Sequence, residues 1–130
     1  METSKKINLS ERIFIAGATG MVGSSIYRTL KKYGYGLNKY QGVILTPNRN
    51  ELNLLDQEIV DHWFAKEKPS VVVLAAAKVG GIYANASKPF DFLIENLKIQ
   101  TNVIESAFRH KVKRLLFLGS SCIYPKHCLQ

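Results

Sequence analysis

The residues best suited to chemistry are three glycines at a fixed spacing near the amino terminus. They belong to the stretch Gly17-Ala18-Thr19-Gly20-Met21-Val22-Gly23. An apolar run precedes this stretch and a helical pattern follows it. Small residues let the backbone turn sharply and bring its N–H groups close to an anion, and the start of the helix adds a partial positive charge. The last glycine allows close packing of helix on strand, so the stretch predicts a dinucleotide diphosphate site.

A second group of reactive side chains lies near the carboxyl terminus, where Ser120, Ser121 and Cys122 follow an apolar run that ends at Gly119. We expect them just past the carboxyl end of a buried strand, the edge of an open α/β sheet that faces ligands. A serine there can hydrogen-bond a reacting carbonyl, and a cysteine with a tuned pKa can move protons. An ordinary serine-rich turn would explain the same residues, and local chemistry leaves both interpretations open.

The segment after the second apolar run bears on the choice of dinucleotide. An acidic residue at this place would bind a ribose 2′-hydroxyl and favour NAD. Here Arg49 is available instead, and a guanidinium matches the oxygens of a 2′-phosphate. We therefore predict NADP(H). Glu51 is close enough to support NAD, and a solvated surface arginine is the alternative interpretation of Arg49.

Four short apolar segments alternate with helical patterns and must position these residues. We predict strands over residues 12–16, 42–46, 71–77 and 114–119, and helices over residues 21–33, 55–66 and 89–110. Asp56 is the predicted N-cap of the second helix. Nearly all-apolar strands separated by helices indicate a parallel sheet covered on both faces. Right-handed crossovers favour a Rossmann-like, doubly wound α/β fold, truncated to four strands in the order 3-2-1-4.

Two features indicate that this sheet lacks a neighbour. The fourth strand would be an outer strand, yet it is as apolar as a central one. The last helix carries an apolar stripe that contains Asn96, and beside it a second stripe of Leu93, Leu97, Ile104 and Phe108. So wide an apolar arc predicts burial on more than one side and poor solubility. We expect Asn96 to be hydrogen-bonded within the protein and not to bind a ligand.

Length and composition set the class of protein. The 130 residues, 46% hydrophobic and 22% charged, suit one soluble domain. No apolar run approaches the roughly 20 residues of a membrane span, and the amino terminus lacks a signal-peptide pattern, so we expect a cytoplasmic protein without a membrane partner. The net charge of +8 is scattered, which argues against nucleic acid. Cys122 and Cys128 match neither a disulfide framework nor a metal pattern, and no metal site is predicted.

Four segments, in this order and spacing, resemble the GDP-L-fucose synthase family of extended short-chain dehydrogenases/reductases: GATGMVGS, NELNLLD, LAAAKVGGI and FLGSSCIYPK. The resemblance covers residues 12–126. It implies an NADPH-dependent 3,5-epimerase and 4-reductase that acts on the nucleotide sugar GDP-4-keto-6-deoxy-mannose, and a homodimer for the complete protein. The family's chain is more than twice as long. We therefore expect residues 1–130 to be its amino-terminal NAD(P)-binding domain, without the carboxyl-terminal substrate domain and inactive alone.

The resemblance also implies roles for single residues. Ser120 matches the catalytic serine that orients the C4 carbonyl, and Cys122 matches the cysteine of the acid/base pair that epimerises the sugar. Arg49 would face the 2′-phosphate, and Lys78 would lie near the cofactor or in solvent. Asn53 and Leu54 would lie against the adenine. The implied cofactor groove is lined by Gly17, Ala18, Thr19, Gly20, Met21, Val22, Gly23, Arg49, Asn53, Leu54, Ala75 with the two alanines after it, Leu118, Gly119, Ser120 and Ser121.

The sequence departs from the family where the remaining catalytic groups are concerned. The family's Tyr-x-x-x-Lys pair and its partner histidine lie downstream. Tyr27 with Lys31 and Tyr35 with Lys39 have the same spacing but precede the second strand, and we interpret both as coincidence. None of the three histidines fits. Two alternatives stay open: another NAD-dependent nucleotide-sugar epimerase or dehydratase, with an incidental Cys122, and a nucleotide-binding module without catalysis.

Overall fold

Four parallel strands alternate with helices in a computed structural model that describes residues 7–120, 123 and 125. The strands are β1 (Arg12–Ala16), β2 (Val43–Leu45), β3 (Val71–Leu74) and β4 (Arg114–Phe117). The helices are α1 (Met21–Lys32), α2 (Gln57–Glu67), α3 (Ile82–Ser87) and α4 (Pro89–Arg109), and a short 3₁₀ turn (Asn38–Tyr40) precedes β2. The predicted alternation of strands and helices is confirmed.

The sheet has the order β2-β1-β3-β4, with all neighbours parallel. Ile13 is opposite Ile44 on one side and Val71 on the other. The predicted doubly wound sheet is confirmed. β1 is an inner strand next to β2, and β4 is at the outer edge. In the order 3-2-1-4 of a dinucleotide-binding sheet, strand four lies beside strand one, and in this chain β3 has that place.

Two apolar clusters cover the two faces of the sheet. Successive residues of a strand point to opposite faces, so Phe14 packs toward α2 and α4 while Ile13 and Ile15 pack toward α1. The first cluster contains Phe14, Ala16, Leu52, Val60, Phe64, Val72, Leu74, Val103 and Ala107. The second contains Ile13, Ile15, Val71 and Val73, with Ile26 and Leu30 of α1 against them. Burial on both faces explains why β1 and β3 are apolar without alternation.

The predicted element boundaries differ from the observed ones mainly at strand ends. Asp56 is the N-cap of α2, as predicted, and its Oδ1 accepts a hydrogen bond from Ile59 N at 3.0 Å. β3 ends at Leu74 and not at residue 77, and β4 ends at Phe117 and not at residue 119. Apolar residues continue past both ends, so composition does not reveal where pairing stops. Helix α3 was not predicted.

The outer strand and one side of α4 are exposed. All four residues of β4 are exposed, including Leu116, which keeps 52% of its surface accessible. Val103 and Ala107 of α4 are buried, whereas Phe108 of the second stripe is 84% exposed. The second stripe of α4 therefore has no packing partner among the described residues, which agrees with the expectation that this helix and the sheet lack a neighbour. The predicted apolar edge at β4 is confirmed.

Candidate functional site

The carboxyl ends of the parallel strands bring several predicted site residues to one edge of the sheet. β1 leads into the glycine turn, β3 leads into Ala75, and β4 leads into Leu118. The backbone ladder continues past the strand ends, since Ala75 N donates to Ala16 O at 3.0 Å and Leu118 N donates to Leu74 O at 3.2 Å. Ligands of open α/β sheets bind at this edge.

The first glycine of the turn lies where no other residue fits. Gly17 has φ +83°, and a Cβ added to it would lie 2.8 Å from the backbone of Ala76. The turn closes with a hydrogen bond from Gly20 N to Gly17 O at 3.0 Å. The glycine turn therefore packs directly on the segment that follows β3, and both segments form one surface.

The last glycine sets the distance between α1 and the turn. Gly23 is buried, and a Cβ added to it would lie 2.1 Å from Gly17 O. Gly20 is the N-cap of α1, no described side chain caps it, and the first turn of the helix has no acidic residue. The first amides of α1 have no intrahelical partner and can donate hydrogen bonds to an anion. Met21, 87% exposed, begins the helix at this surface.

This geometry fits a dinucleotide. At positions 17 and 23 the backbone packs so closely that a Cβ would have no space. A diphosphate cradle requires such close backbone packing. Thr19 and Gly20 are exposed and Ala18 is half-buried. Their exposure leaves the turn accessible to a ligand within the part of the chain that is described.

The predicted adenosine residues follow β2, the neighbour of β1. Arg49 and Asn53 are exposed, and Leu54 is half-buried against the first apolar cluster. Asn53 Oδ1 accepts a hydrogen bond from Leu55 N at 3.2 Å, so this side chain shapes its own turn. Leu54 O accepts from Asn102 Nδ2 at 2.9 Å, which joins the segment to α4. Contact of these residues with an adenine stays a prediction.

Of the two predicted catalytic residues, only Ser120 is described, and it lies at the carboxyl end of β4. Leu118 is half-buried, and Gly119 and Ser120 are exposed at the same edge as the glycine turn. Ser120 O accepts a hydrogen bond from Ile123 N at 3.3 Å. Ser121 and Cys122 lie outside the described residues, so their roles stay predictions.

The segment after β3 is held by α4, which the sequence only partly indicated. Lys78 Nζ forms an ion pair with Glu95 and lies 5.4 Å from the ring centroid of Phe92. The Asn96 side chain forms hydrogen bonds with the backbone of Lys78. The prediction that Asn96 is hydrogen-bonded within the protein is therefore confirmed. Sequence analysis missed Glu95 and Phe92. Their spacing of three residues, which places side chains on one helix face, was the available signal.

The tyrosines with Tyr-x-x-x-Lys spacing have structural roles. The Tyr35 hydroxyl donates to Ile7 O at 2.6 Å, near the amino end of β1 and away from the glycine turn. Tyr27 packs against the second apolar cluster. His110 Nε2 lies 3.0 Å from Asp61 Oδ1 and links α4 to α2. Among the described residues no three potential metal ligands converge, and no helix is long and apolar enough to cross a membrane.

A charged contact joins the strands at their amino ends. Glu11 accepts a hydrogen bond from Lys113 Nζ at 3.0 Å. A hydrogen bond with Ser70, together with Lys113, holds the pKa of Glu11 below its ordinary value of 4.5. Glu11, Ser70 and Lys113 precede β1, β3 and β4, so the contact fixes the edge of the sheet opposite the candidate site.

Comparisons with known proteins agree with the fold and the motifs. The NAD dependent epimerase/dehydratase family matches residues 13–129. The chain is 51% identical to GDP-L-fucose synthase 1 of Arabidopsis thaliana, with 99% of this chain and 38% of that protein covered. It is 50% identical to GDP-L-fucose synthase of Escherichia coli (strain K12), with 89% of this chain and 34% of that protein covered.

A solved structure extends the comparison to the backbone. A GDP-mannoheptose C4 reductase from Campylobacter jejuni with NADP bound has a TM-score of 0.84 and 35% identity, with 95% of this chain and 37% of that chain covered. The chain thus spans about a third of the length of the relatives it matches, and it resembles the amino-terminal part of GDP-L-fucose synthase.

Proposed function

Because this chain belongs to the NAD dependent epimerase/dehydratase family, we propose that it binds NADP(H) at the carboxyl edge of its sheet. We further propose that residues 1–130 form the cofactor-binding domain of an epimerase and reductase similar to GDP-L-fucose synthase. The observation that carries the proposal is the close backbone packing at Gly17 and Gly23, which excludes side chains and would let the amides at the start of α1 approach a diphosphate.

The choice of NADP(H) over NAD rests on the segment after β2. Arg49 is exposed and follows β2, the strand next to β1. A guanidinium is well suited to a 2′-phosphate. The GDP-mannoheptose C4 reductase, 35% identical to this chain, has NADP bound. Both observations support a phosphorylated ribose as the ligand.

Ser120 and Cys122, which follow β4 in the sequence, would act on the sugar. When bound, NADPH supplies the hydride that reduces the 4-keto group of GDP-4-keto-6-deoxy-mannose. The Ser120 hydroxyl would donate a hydrogen bond to the carbonyl oxygen, and Cys122 would transfer protons at the neighbouring carbons. Neither tyrosine with the Tyr-x-x-x-Lys spacing is at this edge, so we expect the 130 residues to bind the cofactor without reducing the sugar. A homodimer and a cytoplasmic location stay predictions.

A charge placed at Gly20 tests the diphosphate site without removing the helix cap. Gly20 has the extended backbone of an N-cap, where aspartate and asparagine are both favourable. Gly20→Asp would put a carboxylate where the diphosphate is proposed to bind, and Gly20→Asn is the neutral variant of nearly equal shape. Calorimetric titration with NADPH should detect the tightest binding to the wild type, weaker binding to Gly20→Asn, whose side chain competes for the same amides, and none to Gly20→Asp.

Two outcomes would count against the proposal. If the folded wild type binds neither NADPH nor NADH, the dinucleotide site is wrong. If NADH binds more tightly than NADPH, the site is retained but the chain is better explained as part of an NAD-dependent nucleotide-sugar epimerase or dehydratase.

A further inference from the structure

Two side chains in the turn after β2 bind each other's backbone. Glu51 Oε2 accepts a hydrogen bond from Asn48 N at 2.8 Å. Asn48 Oδ1 accepts from Asn50 N at 2.8 Å and from Glu51 N at 3.1 Å. This reciprocal pairing has the pattern of a capping box. The Asn48–Glu51 box thus engages the Glu51 carboxylate, the acidic group that in the sequence could have supported NAD binding.

The base of the turn is anchored in the core. Leu52 N donates to Asn48 O at 2.9 Å, and the Leu52 side chain is buried in the first apolar cluster. Arg49 lies between Asn48 and Glu51 in the sequence, and its side chain is exposed. Within residues 7–120 its guanidinium has no ion pair or hydrogen bond. The turn is therefore ordered by its neighbours, while the cation is available to a ligand.

The position of the turn matches the proposed cofactor site. β2 pairs with β1 in parallel, and Leu45, the last residue of β2, is opposite Phe14. The turn after β2 and the glycine turn after β1 consequently leave the same edge of the sheet from neighbouring strands. This is where a doubly wound sheet meets the ribose that carries the 2′ group.

We propose that Glu51, with Asn48, is a positioning residue that makes the site selective for NADP(H), an inference that rests on the proposed function. Glu51 holds the turn in the conformation in which Arg49 meets the 2′-phosphate, and it does not bind the ribose itself. A carboxylate so close to a phosphate repels it, which opposes binding. Glu51 therefore has two opposite effects, one through its hydrogen bond and one through its charge.

Substitutions at position 51 separate these effects. Glu51→Ala and Glu51→Gln both lack the charge, but the glutamine oxygen can still accept the hydrogen bond from Asn48 N. We expect Glu51→Gln to bind NADPH about threefold to tenfold more tightly than Glu51→Ala, the size of one such hydrogen bond. Both variants should bind NADH alike. The control is Glu58→Ala, which removes an exposed carboxylate from α2 and should leave both affinities unchanged.

A double-mutant cycle tests whether Glu51 acts through Arg49. In the Arg49→Ala background, the difference between alanine and glutamine at position 51 should vanish, since no guanidinium is left to position. Calorimetric titrations with NADPH and NADH give all the affinities. Equal NADPH affinities of Glu51→Ala and Glu51→Gln, or a difference that persists without Arg49, would overturn the inference. A loss of NADH binding in both variants would mean that Glu51 binds the ribose. Absence of NADPH binding to the wild type would instead reject the proposed function.

Discussion

The side chain of Asn96 forms two hydrogen bonds with the backbone of a single residue, Lys78. Asn96 Oδ1 accepts from Lys78 N at 2.7 Å, and Asn96 Nδ2 donates to Lys78 O at 3.0 Å. One amide thereby satisfies both backbone groups of a residue in the segment after β3. Because this segment also packs on Gly17, α4 supports the surface on which the diphosphate is proposed to bind.

Replacement of Asn96 should loosen this segment. Asn96→Ala removes both hydrogen bonds, and we expect the free energy of unfolding to fall by about 1–3 kcal/mol, because a half-buried backbone donor and acceptor lose their partners. Urea denaturation measures the loss, and NADPH affinity should fall with it. Gln100→Ala, on the same helix and without a side-chain hydrogen bond in the described structure, is the matched control. Equal stabilities of the two variants would contradict the assigned role of Asn96.

A methyl group at Gly23 should disturb the cradle more than a methyl group elsewhere. In Gly23→Ala, the added Cβ would lie 2.1 Å from Gly17 O, so helix and turn must move apart. Overpacking of this kind typically costs about 1–3 kcal/mol, and NADPH binding should weaken as well. Gly81→Ala is the control, since no atom of the described residues beyond its chain neighbours lies within 4 Å of its added Cβ. Thermal unfolding and calorimetry check both effects, and unchanged NADPH binding by a folded Gly23→Ala variant would argue against the cradle.

Glu11 should make stability depend on pH in the acid range. Its pKa is lowered in the folded protein, so the ionised carboxylate stabilises the fold above the ordinary pKa of 4.5, and this contribution is lost as the pH falls through the lowered pKa. Glu11→Gln should therefore be less stable than the wild type at neutral pH, and the difference should shrink below pH 4.5. Urea denaturation at several pH values measures the difference. A constant difference would contradict the assignment.

The exposed apolar residues of β4 and α4 should cause self-association. An unpaired apolar edge strand is a site for pairing with other chains. Leu116→Lys places a charge on the edge strand, and Phe108→Glu places one on the exposed stripe of α4. We expect both variants to remain monomeric at concentrations where the wild type associates, with thermal unfolding little changed. Light scattering tests this, and a monodisperse wild type that unfolds cooperatively would show that the exposed residues are harmless.

Features that depend on neighbouring residues were predictable from the sequence. The glycine spacing, the apolar runs and the Asp56 cap indicated the turn, the strands and the start of α2, and the structure agrees. These features follow from local backbone preferences and from side-chain periodicity. The ends of β3 and β4 were placed too late, because the apolar runs continue past the last paired residue.

Contacts between distant segments were decided only by the tertiary structure. The sequence contained Asn96, but its partner Lys78 became known only from the folded chain, in which the Asn96 side chain bonds the Lys78 backbone across a separation of 18 residues. The apolar stripes of α4 likewise did not reveal which of them is buried. Periodicity determines which residues share a helix face, whereas burial depends on which other segments pack against that face, and that is a property of the whole chain.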